Sequence, residues 1–135
     1  MPDSQRLALS KYRLERAKET YLTALENLNN GKYLDANNRA YYCIFHSIRA
    51  VLALDGVDFK KHSGVISYFR EKYVKTNVFT AVFSDIIGKA TMIRNKSDYE
   101  DFYTTSHDEA QEQVKNALLF YEKVESYISG CPEKK

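Results

Sequence analysis

Apolar residues recur along this chain at steps of three and four, the spacing that gathers side chains onto one stripe of an α-helix. Leu14, Ala17, Tyr21, Leu25 and Leu28 mark a first helix from about Ser4 to Asn29, and Asn30-Gly31 stops it. A second, from about Tyr33 to Leu54, is apolar on most sides from Ala40 onward, which predicts a central helix packed by neighbours on several faces. Asp55-Gly56 ends it, because glycine reaches the left-handed conformation without a steric penalty. A third helix carries Val65, Ile66, Phe69 and Tyr73, with Ser63 placed to cap its first amides and an end near Thr76-Asn77. The fourth stripe reads Phe79, Val82, Phe83, Ile86, Ile87, Ala90 and Ile93; polar residues Arg94-Asn95-Lys96-Ser97-Asp98-Tyr99 follow directly, which puts Arg94 at or near a helix end. Ser106-His107-Asp108-Glu109 fits a capping box, and Ala110, Val114, Ala117, Tyr121, Val124 and Ile128 predict a last helix ended by Gly130 and Pro132.

No segment sustains the two-residue alternation of a strand, so the expected fold is all-α, an up-and-down bundle of about five helices joined by short turns. A chain of 135 residues makes one domain, with a core from about residue 10 to 128 and a frayed tail over 129–135. No run approaches the roughly 18 apolar residues of a membrane helix. The first residues build no secretory signal, so a cytoplasmic protein is expected. Two cysteines are too few for a disulfide framework, and the histidines at 46, 62 and 107 lack metal-ligand spacing. Neither metal nor cofactor is expected, and triads, zinc-protease motifs and phosphate-loop glycines are all absent.

Charge sharpens the picture. Residues 57–99 carry eight Lys/Arg against four Asp/Glu, and residues 100–135 carry four against eight. A basic middle suits either a polyanion or a complementary copy of the same chain, and a solvated mixed-charge surface is the plainer explanation. Arg94 and Asp98 are four apart, so on a continuing helix they share a face, where they form a surface salt bridge or, together with Asn95 and Tyr99, a phosphate-binding cluster. Lys60-Lys61-His62 precedes the third helix, where free amides favour an anion and His62 is either a helix flank or a proton-transfer group. His46 reads as a core or interface histidine, and His107 belongs to the capping box. Tyr12, Tyr21, Tyr121 and Tyr127 are assigned to structure. The enzyme chemistry left open is metal-independent RNA cleavage, in which the ribose 2′-hydroxyl is the nucleophile and the protein moves protons and stabilises phosphate charge.

Three separated segments, Arg39-Ala40-Tyr41-Tyr42-Cys43-Ile44-Phe45-His46, Lys61-His62-Ser63-Gly64-Val65-Ile66 and Arg94-Asn95-Lys96-Ser97-Asp98-Tyr99, resemble HEPN domains, above all the small stand-alone prokaryotic members. The resemblance extends from about Ser10 to Ile128. It implies a helical bundle, a homodimer that brings two arginine motifs together, and pairing with a minimal nucleotidyltransferase in toxin-antitoxin-like modules. Catalytically active members have an arginine, often followed by a polar residue, and then a histidine four to six residues beyond the arginine. Arg94-Asn95 matches the start, but Tyr99, Glu100 and Asp101 occupy the place of the histidine. The resemblance also implies a tyrosine that the partner enzyme can nucleotidylate, for which Tyr99 and Tyr103 are candidates. The expected function is therefore a nucleotide- or RNA-binding homodimer using Arg94, Asn95, Asp98, Tyr99, Lys60, Lys61 and His62. The alternatives are a metal-independent endoribonuclease toxin, with Arg94 and His62 as its catalytic residues, and a purely structural interaction module.

Overall fold

The apolar stripes fold as five α-helices in the computed structural model, which describes residues 3–131: α1 (Ser4–Asn29), α2 (Tyr33–Asp55), α3 (His62–Phe69), α4 (Ala81–Tyr99) and α5 (His107–Ser129). Among the described residues there is no strand. Asp3 caps α1 by accepting from the Arg6 amide at 2.9 Å. The turn into α2 needs Gly31 at φ 75°, a left-handed conformation that glycine adopts freely. The two helices run antiparallel, since Ser10 near the start of α1 donates its hydroxyl to the Ala50 carbonyl near the end of α2, at 2.6 Å. Fully buried alanines at 17, 24, 36, 40 and 50 line these helices and allow close approach.

The second helix is central, packing against α1, α3, α4 and α5. Its buried Ile44, Ile48, Val51 and Leu52 form the middle of the core, and α5 closes it with the predicted stripe Ala110, Val114, Ala117, Tyr121, Val124 and Ile128, all buried. After α3 the chain widens into a π-helical turn, Arg70–Val74, in which the Lys75 amide reaches back five residues to the Arg70 carbonyl. The tyrosines of this region return to the end of α2, with the Tyr68 and Tyr73 hydroxyls donating to Asp55 at 3.1 and 2.6 Å. Asn77, at φ 64°, then reverses the chain, and Phe79 is buried ahead of α4.

Several expectations are corrected. The fourth helix does not end near Arg94 but continues to Tyr99. Polarity alone does not end a helix, and this run supplies an Arg94–Asp98 pair at helical spacing. Ser63 does not cap α3: the cap position is Lys61, with no side-chain bond, and Ser63 lies exposed inside the helix. The capping box of α5 is half formed. Ser106 accepts from the Glu109 amide at 3.1 Å, but the Glu109 carboxylate turns to the hydroxyls of Tyr103 and Thr105, each at 2.7 Å. Tyr12 and Val82 are exposed instead of packed in the core. At the C-terminus Gly130 caps α5 and the Cys131 thiol meets the Tyr127 carbonyl, while the rest of the expected tail, 132–135, lies outside the described residues.

Candidate functional site: an arginine and a histidine across two tyrosines

Because α4 continues past Arg94, this residue points from the middle of a helix turn onto α2. Its guanidinium carbon lies 4.8 Å from the centre of the Tyr41 ring and 5.5 Å from that of Tyr42, and Nη2 donates to the Tyr42 hydroxyl at 3.3 Å. Cations are attracted to the negative faces of such rings. On the other side Nε stands 3.7 Å from Oδ2 of Asp98, an ion pair too long to be a hydrogen bond. That Nε is buried and has no hydrogen-bond partner among the described residues, although the side chain as a whole is 24% exposed. One face of the guanidinium is thus fixed by aromatic rings while the group still reaches solvent.

His62, the first residue of α3, meets the same pair of tyrosines. Its ring stacks on Phe45 with centroids 3.9 Å apart, and its Nδ1 shares a hydrogen bond of 2.9 Å with the Tyr41 hydroxyl. Tyr41 and Phe45 are one turn apart on α2, so they present a single aromatic ledge to the start of α3. Tyr41 therefore links Arg94 to His62. Burial pushes the His62 pKa below its ordinary value, aided by the positive charges of Arg94 and Arg49, so the imidazole is neutral at neutral pH and has a nitrogen free to take a proton. Burial raises the Tyr41 pKa, against an opposing pull from Arg94, and the phenol keeps its proton. When Nδ1–H donates to the phenol oxygen, Nε2 is left as the base.

The other expected residues divide. Asp98 joins the site through Arg94. Asn95 and Tyr99 are exposed, Tyr99 by 83%, and neither side chain forms a hydrogen bond among the described residues. Lys60 and Lys61 are exposed beside His62 in the chain, with no bond to Arg94. Tyr103 is engaged, its hydroxyl held by Glu109 and its pKa pushed up by burial and that carboxylate to about 12. His107 packs edge-on against Tyr33, 5.5 Å between centroids, apart from the cluster.

Sequence reading missed the walls of the site. Tyr41, Tyr42 and Phe45 lie in the apolar run of the central helix, and Arg39, whose guanidinium carbon is 5.1 Å from the Tyr42 centroid, entered the sequence reading only within the segment that carries the family resemblance. Their signal was the spacing of 39, 42 and 46 on one side of α2 beside 41 and 45 on the next.

The arrangement defines a class: an all-helical bundle whose central helix presents aromatic rings to an arginine on one neighbouring helix and a histidine on another. The profile of the HEPN domain matches residues 10–127, and the chain belongs to that family. Relatives span most of it. A Methanocaldococcus jannaschii protein named "Putative toxin MJ0142" is 31% identical over 116 residues, covering 85% of this chain and 78% of its own. A second protein of that organism, "Putative toxin MJ0605", is 34% identical over 115 residues, 85% of each chain. A "UPF0332 protein" of Thermotoga maritima is 28% identical over 118 residues, 87% of this chain and 89% of its own. No helix of the described residues is long and apolar enough to cross a membrane.

Proposed function

We propose that this chain is the nucleotide- or RNA-binding subunit of a toxin-antitoxin-like module, acting in the cytoplasm as a homodimer and paired with a minimal nucleotidyltransferase. The observation that carries the reading is the Arg94 guanidinium, laid on Tyr41 and Tyr42 with an unsatisfied Nε–H and an outlet to solvent. An arginine fork fixed on one face and open on another suits a phosphate, which offers several acceptor oxygens at once. Asp98 is then a competitor that a phosphate displaces or a hinge that aims the fork. The names of the two Methanocaldococcus relatives support a place in a toxin-like module.

A second reading has its own observation in favour. The histidine missing after Arg94 has a spatial substitute, since His62 reaches the same tyrosine pair and is neutral. In an endoribonuclease, His62 Nε2 would take the 2′-hydroxyl proton as the 2′-oxygen bonds the adjacent phosphorus and the P–O5′ bond breaks, the departing 5′-oxygen taking a proton from water, while Arg94 stabilises the charge that develops on the phosphate. Expressing the chain alone, and with a nucleotidyltransferase encoded beside it, separates the two readings. The binding reading expects growth and intact total RNA from the chain alone. Rapid arrest with RNA cleavage, abolished equally by Arg94→Ala and His62→Ala, would replace it with the enzyme.

A further inference from the structure

The central helix is buried on nearly every side from Ala40 onward, yet one stripe stays open. Residues 39, 42, 46 and 49, at steps of three, four and three, are all half-buried, and they are Arg39, Tyr42, His46 and Arg49. The stripe contains no carboxylate. On its α1 side a hollow of about 480 Å³ is lined by Arg39 and Arg16 together with Tyr12, Glu19, Thr20 and Thr23. On its other side Tyr42 receives Arg94 as well as Arg39 on its ring.

Arg16 and Arg39 form no ion pair among the described residues, and Arg39 is held by the side-chain oxygen of Asn38, at 3.2 and 2.7 Å, and by the ring of Tyr42. Arg49 is partly neutralised by Asp58, which it shares with Arg13. His46 registers the crowding: burial and then the charges of Arg16, Arg49 and Arg39 keep it neutral. Two unpaired guanidiniums facing one hollow, Arg16 from α1 and Arg39 from α2, bring the folded chain no stability of their own, because like charges in proximity destabilise it.

We infer that this edge is a phosphate track, in which Arg16, Arg39 and Arg49 hold the backbone of a single RNA strand on either side of Tyr42 while Arg94 takes one phosphate of the same strand. The inference rests on the reading of Arg94 as a phosphate site and narrows its ligand from a nucleotide to an oligonucleotide. Guanidiniums fit phosphate oxygens in pairs, and the tyrosine between them offers a face on which any base can stack. Single-stranded RNA suits the track because its unstacked bases leave the backbone free to follow a helix edge.

The test measures binding of a fluorescent oligouridylate of about 12 nucleotides, with uridine monophosphate as the short competitor. The wild-type protein binds the oligomer more tightly than the monophosphate. Arg16→Gln with Arg39→Gln weakens oligomer binding by about tenfold and lowers the salt slope by about one to two, a larger loss than the same pair causes in monophosphate binding. Arg16→Lys with Arg39→Lys, which keeps the charge, retains the slope, and circular dichroism verifies that each variant is folded. Equal affinity for oligomer and monophosphate, or a glutamine pair with wild-type binding, overturns the track while leaving the Arg94 site intact. An equal loss from Lys115→Gln with Lys123→Gln on α5 overturns it too, because the attraction would then be diffuse. A glutamine pair that changes the sedimenting mass instead of RNA affinity assigns the edge to another protein surface and refutes it. Arg94→Ala judges the parent reading separately: full retention of monophosphate and oligomer binding sinks that reading itself.

Discussion

Truncating Ile44 and truncating Arg94 should have opposite consequences, one for stability and one for binding. Ile44 is 2% exposed in the middle of the core, and alanine removes three carbons there. At about 0.8 kcal/mol for each buried methylene, plus the cavity left behind, the loss is about 2 to 5 kcal/mol. Ile86, on the α4 side of the core, should fall in the same range. Arg94→Ala removes a part-exposed ion pair worth about 0 to 1 kcal/mol, cation–π contacts worth about 0.5 to 1 kcal/mol each, and the long hydrogen bond to the Tyr42 hydroxyl. It also removes a buried N–H with no partner, which offsets part of that loss. Urea unfolding at one fixed protein concentration should therefore show Ile44→Ala and Ile86→Ala with clearly lower midpoints and unchanged slopes, and Arg94→Ala with a smaller fall than either. If Arg94→Ala ranks as the worst of the three, the guanidinium is a structural keystone and its assignment to a ligand is wrong.

Three further outcomes are expected. His46 is pushed from its ordinary 6.5 to about 4 in the folded chain, mainly by burial. The unfolded chain then binds the extra proton first, so stability falls as pH drops from about 6.5 towards 4, and His46→Gln should flatten that fall in urea titrations. Tyr41→Phe keeps the ring beneath Arg94 but removes the hydroxyl bonded to His62. It should cost about 0.5 to 1.5 kcal/mol and shift the His62 imidazole resonances without moving those of His107; unmoved His62 signals would refute the bond. Sedimentation should give twice the chain mass of 15.7 kDa, with the contact near Arg94 to Tyr99, and a monomer at micromolar concentration would remove the shared groove.

The bundle was legible because helix periodicity is a local property: the stripe of α5 and the crowded middle of α2 are written in consecutive residues. What the periodicity did not carry was the end of α4. The polarity of Arg94 to Asp98 reads as a loop, yet a helix needs only one apolar side, and Ile93 supplies the last of it. The site was half legible. Arg94 and His62 stood out by residue type, but the aromatic ledge joining them is built from tyrosines that look like core in the sequence, and in part are, since Tyr41 is 2% exposed. Charge counting along the chain pointed at residues 57–99, whereas Arg16, Arg39 and Arg49 converge only once α1 and α2 are packed side by side.

The central claim is that Arg94 anchors a phosphate, and the salt dependence of RNA binding tests it most directly. Wild-type protein should bind single-stranded RNA with an affinity that falls linearly on a logarithmic salt axis, as released counterions require. Arg94→Ala should weaken binding and flatten that line, and Lys60→Glu with Lys61→Glu, beside His62, should do so as well. Asn95→Ala, which removes no charge, should lower affinity and leave the slope alone. No binding by the wild-type protein even at low salt, or an Arg94→Ala protein with wild-type affinity and slope, would contradict the account.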